Sequence, residues 1–228
     1  LIMLLAVSLT QSVGALLLGV PAGVATVALL VYGRRAVLPL GALAALGAAA
    51  IAVLTQVSAR FASLLDLSTG TNFLRLRVWE SALAIIRDNP ITGLGLDQFL
   101  YAYRGHYIRP DAIWDSDLSH PHNVILDFWI RLSMLGVIVF IWLQIVFWAA
   151  ALKAYRTLSD HNAYRYAIII GAMGSMANLL THGLIDNSIY VNDLAYVFVL
   201  LMALAAHAPD SRSIDDDDNR KDGMVHES

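Results

Sequence analysis

The chain has 228 residues, 58% of them hydrophobic and only 14% charged, with a mean hydropathy of +0.63. A soluble domain carries about 25% charged residues, so the composition excludes an ordinary soluble globular protein and points to a membrane protein or a piece of one. The absence of cysteine excludes a disulfide framework and a thiolate metal site; the net charge of −3 reflects an acidic tail offsetting basic loops, with no basic cluster for nucleic acid.

A membrane-spanning helix needs about 20 consecutive, mostly apolar residues. The stretch 1–9 reads as the end of a span whose beginning is missing, so the chain reads as the C-terminal part of a longer polytopic protein. Residues 13–32 and 36–59 are uncharged, as are 132–152, where the helix is expected to begin earlier, near His122. The stretch 166–185 carries His182, and 188–208 carries Asp193 and His207. The expected fold is an all-α integral membrane protein of about six transmembrane helices, the first partial. Arg34 and Arg35 lie in one short loop, and Lys153, Arg156 and Arg165 in another. The excess of Lys and Arg on the cytoplasmic side puts both loops inside. The long segment between the third and fourth spans then lies outside, and the C-terminus lies in the cytoplasm. The chain thus divides into helices 1–3 (1–59), an extracytoplasmic loop (60–121), helices 4–6 (122–208) and an acidic tail (209–228) that is expected to be disordered.

The outer loop holds most of the chemistry. Thr71 or Asn72 is a candidate cap for an amphipathic helix over 72–89, stopped by Pro90. Its apolar stripe is Leu74, Val78, Trp79, Ala82, Ile85 and Ile86, and it is expected to lie along the membrane interface. Arg75 stands on the apolar side and Arg77 on the charged side, near Glu80. Each arginine has two readings: Arg75 snorkels or binds phosphate, and Arg77 pairs with Glu80 or binds phosphate. Gly93 and Gly95 mark a tight turn whose amides are either structural or close to an anion. Phe99, Tyr101, Tyr103 and Tyr107, interleaved with Arg104, His106 and Arg109, read either as an interfacial aromatic belt or as stacking surfaces for sugars.

The run Ser119-His120-Pro121-His122-Asn123 precedes an apolar helix, with Ser119 a candidate cap and Pro121 suited to a first turn. The positive end of a helix attracts phosphate and disfavours imidazolium, so a neutral histidine there can accept a proton from a hydroxyl. The other readings are a histidine without chemistry, or zinc. Zinc needs three or four ligands, which His120 and His122 alone do not provide, and Pro121 between them makes chelation awkward. Asp127 and Arg131 are spaced as an intrahelical pair. His182, Asp186, Asn187 and Asp193 gather polar groups near the outer end of the last helix pair, for function or for helix–helix hydrogen bonding.

The runs Arg75-Leu76-Arg77-Val78-Trp79, Pro90-Ile91-Thr92-Gly93-Leu94-Gly95-Leu96-Asp97-Gln98-Phe99, His120-Pro121-His122-Asn123 and His182-Gly183-Leu184-Ile185-Asp186-Asn187, in this order, resemble the O-antigen ligase and polymerase family of polytopic membrane glycosyltransferases. The resemblance covers about residues 10–204. It implies transfer of a glycan from an undecaprenyl-pyrophosphate carrier to an acceptor hydroxyl in cell-surface polysaccharide synthesis, in the cytoplasmic (inner) membrane, without a cofactor or metal. It implies that Arg75 holds pyrophosphate and that His122 is the base or a phosphate ligand. Arg77, Arg104, His120, Asn123, Tyr103 and Asp186 are the further candidates for substrate binding. Two positions depart from the pattern: Val13 stands where an arginine is usual, and Ser133 where a glycine is usual, with Gly136 retained. A polysaccharide polymerase of the same family, a transporter or flippase of lipid-linked glycans, and an inactive binding relative are the rival readings.

Overall fold

A computed structural model describes residues 12, 14–63, 66–158, 163–186 and 189–207; the readings made for 1–9, Val13, Asn187 and the tail 209–228 lie outside the described residues. Among the described residues every regular element is helical. A π-helical turn, Ala15–Gly19, leads into α1 (Val20–Tyr32), and α2 is Val37–Val57. The outer segment contributes α3 (Gly70–Asp88), followed by short turns of helix at Phe99–Ala102, Tyr103–Tyr107 and Pro110–Asp115. Then come α4 (Val124–Leu158), α5 (Ala163–Gly183) and α6 (Asn192–Ala206).

Among the described residues, two stretches are long and apolar enough to cross a bilayer: Ala15–Val57, which is broken at Gly33 (φ 56°), and α4. The last helix is shorter than the span read from the sequence. Its 15 residues rise about 22 Å, against a hydrocarbon core of about 30 Å.

Glycines bring α1 and α5 together. A methyl group on Gly23 would lie 2.9 Å from the Gly174 carbonyl oxygen, and one on Gly174 would lie 2.6 Å from the Val27 side chain. Only small residues allow backbones this close, which is how apolar helices gain van der Waals contact where no hydrophobic force acts between them. The Tyr155 hydroxyl donates to the Leu30 carbonyl at 2.6 Å and ties α4 to α1. Phe128, Phe140, Phe147 and Leu158 of α4 pack with Met173, Met176 and Leu179 of α5 and with Phe198 and Leu201 of α6. By contrast, α2 contributes no buried residue.

The outer segment has its own small core: Val78, Ala82, Ile85 and Ile86 of α3 close on Phe99, Tyr103 and Ile130. The helix starts earlier than expected. Thr69, in extended conformation, is the N-cap, in place of Thr71 or Asn72. The Asp66 carboxylate organises this entry by accepting from the Ser68 amide (2.8 Å) and hydroxyl (2.6 Å) and from the Thr69 hydroxyl (2.5 Å). These bonds to its charged form hold Asp66 at about 2, with the Ser68 hydroxyl contributing most.

The glycine turn docks into a break in α4. Ser133 has φ 70° and ψ −176° inside the helix, a region occupied almost only by glycine. The break frees the Ile130 carbonyl, which accepts from the Leu94 amide at 2.7 Å, while the Trp129 indole donates to the Pro90 carbonyl at 2.8 Å. Gly93 (φ 62°) lies so close that a methyl group there would be 2.6 Å from the Ile130 oxygen and 2.8 Å from the Trp129 oxygen. Of the two readings of this turn, the structural one describes Gly93: its amide and that of Leu94 both bond to protein carbonyls. Gly93→Ala should cost about 2–5 kcal/mol, from strain at positive φ plus overpacking against rigid backbone; thermal unfolding in detergent reads it. Ser133→Gly should gain about 0.5–2 kcal/mol in the same assay, since relief of the strain exceeds the added chain entropy.

Candidate functional site

Asn123 builds the site. Its side-chain oxygen accepts from the Ile125 (3.0 Å) and Leu126 (3.1 Å) amides, so Asn123 caps α4 and Ser119 does not. Its side-chain nitrogen donates to the Leu184 carbonyl at 2.8 Å, which brings the turn after α5 to the start of α4. The residue just before the cap, His122, has φ 50°. It meets the carboxylate two residues beyond Leu184: His122 Nδ1 lies 2.9 Å from Asp186 Oδ1. Bonding to a carboxylate assigns a proton to Nδ1; in the neutral ring the lone pair then sits on Nε2.

Two more histidines surround the same carboxylate. His120 Nε2 is 3.9 Å from Asp186 Oδ1, and His182 Nε2, from the last turn of α5, is 4.0 Å from Asp186 Oδ2. The His120 and His122 rings meet edge to face at 4.4 Å. One donor atom each from His120, His122 and Asp186 lie within 4.8 Å of one another, so the pair judged too few for zinc gains a third ligand from a distant part of the chain.

Below this cluster, Arg131 is the organising cation. Its Nε donates to Asp127 Oδ1 at 2.7 Å, confirming the intrahelical pair, and both residues are buried (7% and 1% exposed). Arg131 also reaches beyond its helix. Its Nη1 donates to Asp97 at 2.5 Å, its Nη2 donates to the Ser119 carbonyl at 3.2 Å, and its guanidinium covers the Tyr190 ring at 4.8 Å. The guanidinium therefore anchors the Gly95–Asp97 turn and the residue preceding His120. Asp97 and Tyr190 were missed in the sequence because no periodicity joins them to Arg131.

The outer-segment candidates separate. Arg75 falls on the row of Val78, Ala82 and Ile85 that α3 buries, and its Nε is buried without a hydrogen-bond partner among the described residues. Arg77 is on the other side, in ion pairs with Glu80 and Asp111 at 2.8 Å each. Arg104 pairs with Asp117. Tyr103 has no exposed surface; its ring stacks on Phe99 at 5.4 Å, and burial, followed by the Asp115 charge, pushes its hydroxyl up to about 12. The expectation that Tyr103 offers a face to a sugar is corrected: it is a core residue. Tyr101 is the exposed member of the run (71%), and the Tyr107 hydroxyl donates to Asp88 at 2.9 Å, the bond that most raises its pKa. Asp193 lies exposed in the first turn of α6, apart from the cluster's contacts described above.

A family model described as O-antigen ligase matches residues 1–143. The chain belongs to the O-antigen ligase family. Membership carries a membrane-associated, glycosyltransferase-like function in polysaccharide biosynthesis. The matched residues include Arg75, Arg77, Arg104, His120, His122 and Asn123; they end before α5, so His182 and Asp186 join the site through the fold and not through the family match. No curated protein matches the chain.

Proposed function

We propose that this chain carries the transfer site of a ligase that moves a glycan from an undecaprenyl-pyrophosphate carrier to an acceptor hydroxyl, at the outer face of the inner membrane. In this reading there are about six transmembrane helices, the first partial, residues 60–121 face outward and the C-terminus is cytoplasmic. The observation that carries the reading is the 2.9 Å contact between His122 Nδ1 and Asp186. Asp186 holds the proton on Nδ1, which leaves Nε2 to take the hydroxyl proton of the acceptor. The acceptor oxygen then bonds to the anomeric carbon as the bond from that carbon to the pyrophosphate oxygen breaks. Asp186 stabilises the imidazolium so formed, and the leaving diphosphate departs with its charge paired to a guanidinium.

Arg75 is the guanidinium assigned to that task. Arg77 and Arg104 are already held by carboxylates, whereas the Nε of Arg75 is buried and unpartnered among the described residues. A planar guanidinium grips a diphosphate with two parallel bonds, which an ammonium cannot do. His120 flanks the base, its ring edge to face with that of His122 at 4.4 Å, and is the neighbour assigned to substrate binding; the Asn123 side chain, engaged by the Ile125 and Leu126 amides and the Leu184 carbonyl, holds the base in place instead. A transporter concentrates charge near the bilayer midplane; here the charged groups gather where α4 begins and α5 ends, and 132–152 is uncharged. The test is transfer from a lipid-linked donor by the full-length protein. Arg75→Ala should lower the rate by about 10²–10³-fold, with Arg75→Lys restoring only part of it. Undiminished transfer by Arg75→Ala would remove the arginine from the reaction.

A further inference from the structure

The side chains around Asp186 have a second capacity. We propose that His120, His122, Asp186 and His182 form a binding site for a divalent transition-metal ion of the zinc class, and that an ion held there switches the base off. The donor set is three imidazoles and one carboxylate, the nitrogen-and-oxygen set that tetrahedral zinc takes. Zinc bonded at about 2.0–2.1 Å to each donor requires donors about 3.3 Å apart. The three donor atoms of His120, His122 and Asp186 already lie within 4.8 Å of one another, and His122 and Asp186 are 2.9 Å apart. His182 supplies the fourth donor, with Nε2 4.0 Å from the other carboxylate oxygen. That nitrogen is buried and has no hydrogen-bond partner among the described residues, a costly state for a polar atom unless something occupies the space it faces. Imidazole donors favour zinc, copper or nickel over magnesium and calcium, which sets the class of ion.

The inhibition follows from the tautomer. A metal on His122 Nδ1 takes that nitrogen's lone pair, so the remaining proton of the neutral ring must sit on Nε2. An Nε2–H donates a hydrogen bond and cannot accept a proton. Ion binding therefore reverses the polarity of the nitrogen assigned to the acceptor hydroxyl. The inhibitory half of the proposal rests on His122 being the base; the binding half does not.

The experiment titrates Zn²⁺ against a chromophoric chelator on the full-length protein, purified in detergent without a polyhistidine tag, and records the visible spectrum of the Co²⁺ form. One ion per chain, uncontested by Mg²⁺, with affinity lowered more than about tenfold in both His120→Ala and Asp186→Asn, is the expected result. Circular dichroism checks that each variant is helical, and if one fails to fold the other carries the comparison. No zinc bound, or affinity unchanged in the folded variants, overturns the site. Transfer is measured in parallel: loss of activity as the site fills, restored by chelator, supports the inhibition, and full activity with the site filled overturns it. Stoichiometric zinc binding by a protein that transfers no glycan when metal-free upholds the binding half and tells against the proposed function instead.

Discussion

His122→Ala lowers glycan transfer by about 10²–10⁴-fold, the range over which a positioned general base accelerates proton transfer. His122 is held by the cap formed by Asn123, and its ring is oriented by Asp186 at 2.9 Å. Asp186→Asn keeps the size of the orienting side chain and removes the charge that stabilises the imidazolium, so an intermediate loss is expected. It should appear in kcat more than in KM, because the imidazolium exists only once the proton has moved. His122→Ala with Asp186→Asn should cost no more than His122→Ala alone, since Asp186 acts through the ring it orients. Additive losses in the double variant, or wild-type rates in either single one, would dismiss the dyad.

The largest effect on stability belongs to Arg131. Arg131→Met leaves Asp127, 1% exposed, without its cation. Breaking a buried pair from one side costs about 3–5 kcal/mol, because the remaining charge stays desolvated. Arg131→Met combined with Asp127→Leu should recover most of that loss, since removing both charges leaves nothing uncompensated. Chemical unfolding in detergent or nanodiscs distinguishes the two. The single variant also releases the Ser119 carbonyl and Asp97 from the guanidinium, so it should slow transfer even below its melting temperature. Parent-like stability of Arg131→Met would show that the network is ornamental.

Much of this was legible in the sequence because it depends on local spacing. The apolar row of α3, the Arg77–Glu80 pair and the Asp127–Arg131 pair are all set by helical periodicity, and each is present. The membrane character followed from composition, and the family resemblance from ordered short motifs. What the sequence obscured was decided by long-range contact. Ser119 and Asn123 are both competent caps, and Asn123 won because its amide nitrogen also finds Leu184, 61 residues away. Tyr103 carried an aromatic signal that suits sugar and core equally, and packing against Phe99 and α3 resolved it. The polar residues late in the chain were visible as a group, but the carboxylate common to three histidines arises only when α5 returns to the start of α4. Ser133 was visible as a departure from a family pattern, and the backbone shows its cost: a non-glycine residue in a glycine conformation.

The close approach of Gly23 and Gly174 has a consequence for how the protein meets bilayers of different thickness. Helices joined backbone to backbone cannot slide or roll past one another without opening a void. The α1–α5 pair therefore keeps a fixed register, and His182, which shares α5 with Gly174, keeps its depth along with it. A thicker or thinner membrane must be accommodated by tilt elsewhere, and α2, free of buried contacts, is the element able to supply it. Lipid composition should then alter the angle of α2 while leaving His182 at constant depth.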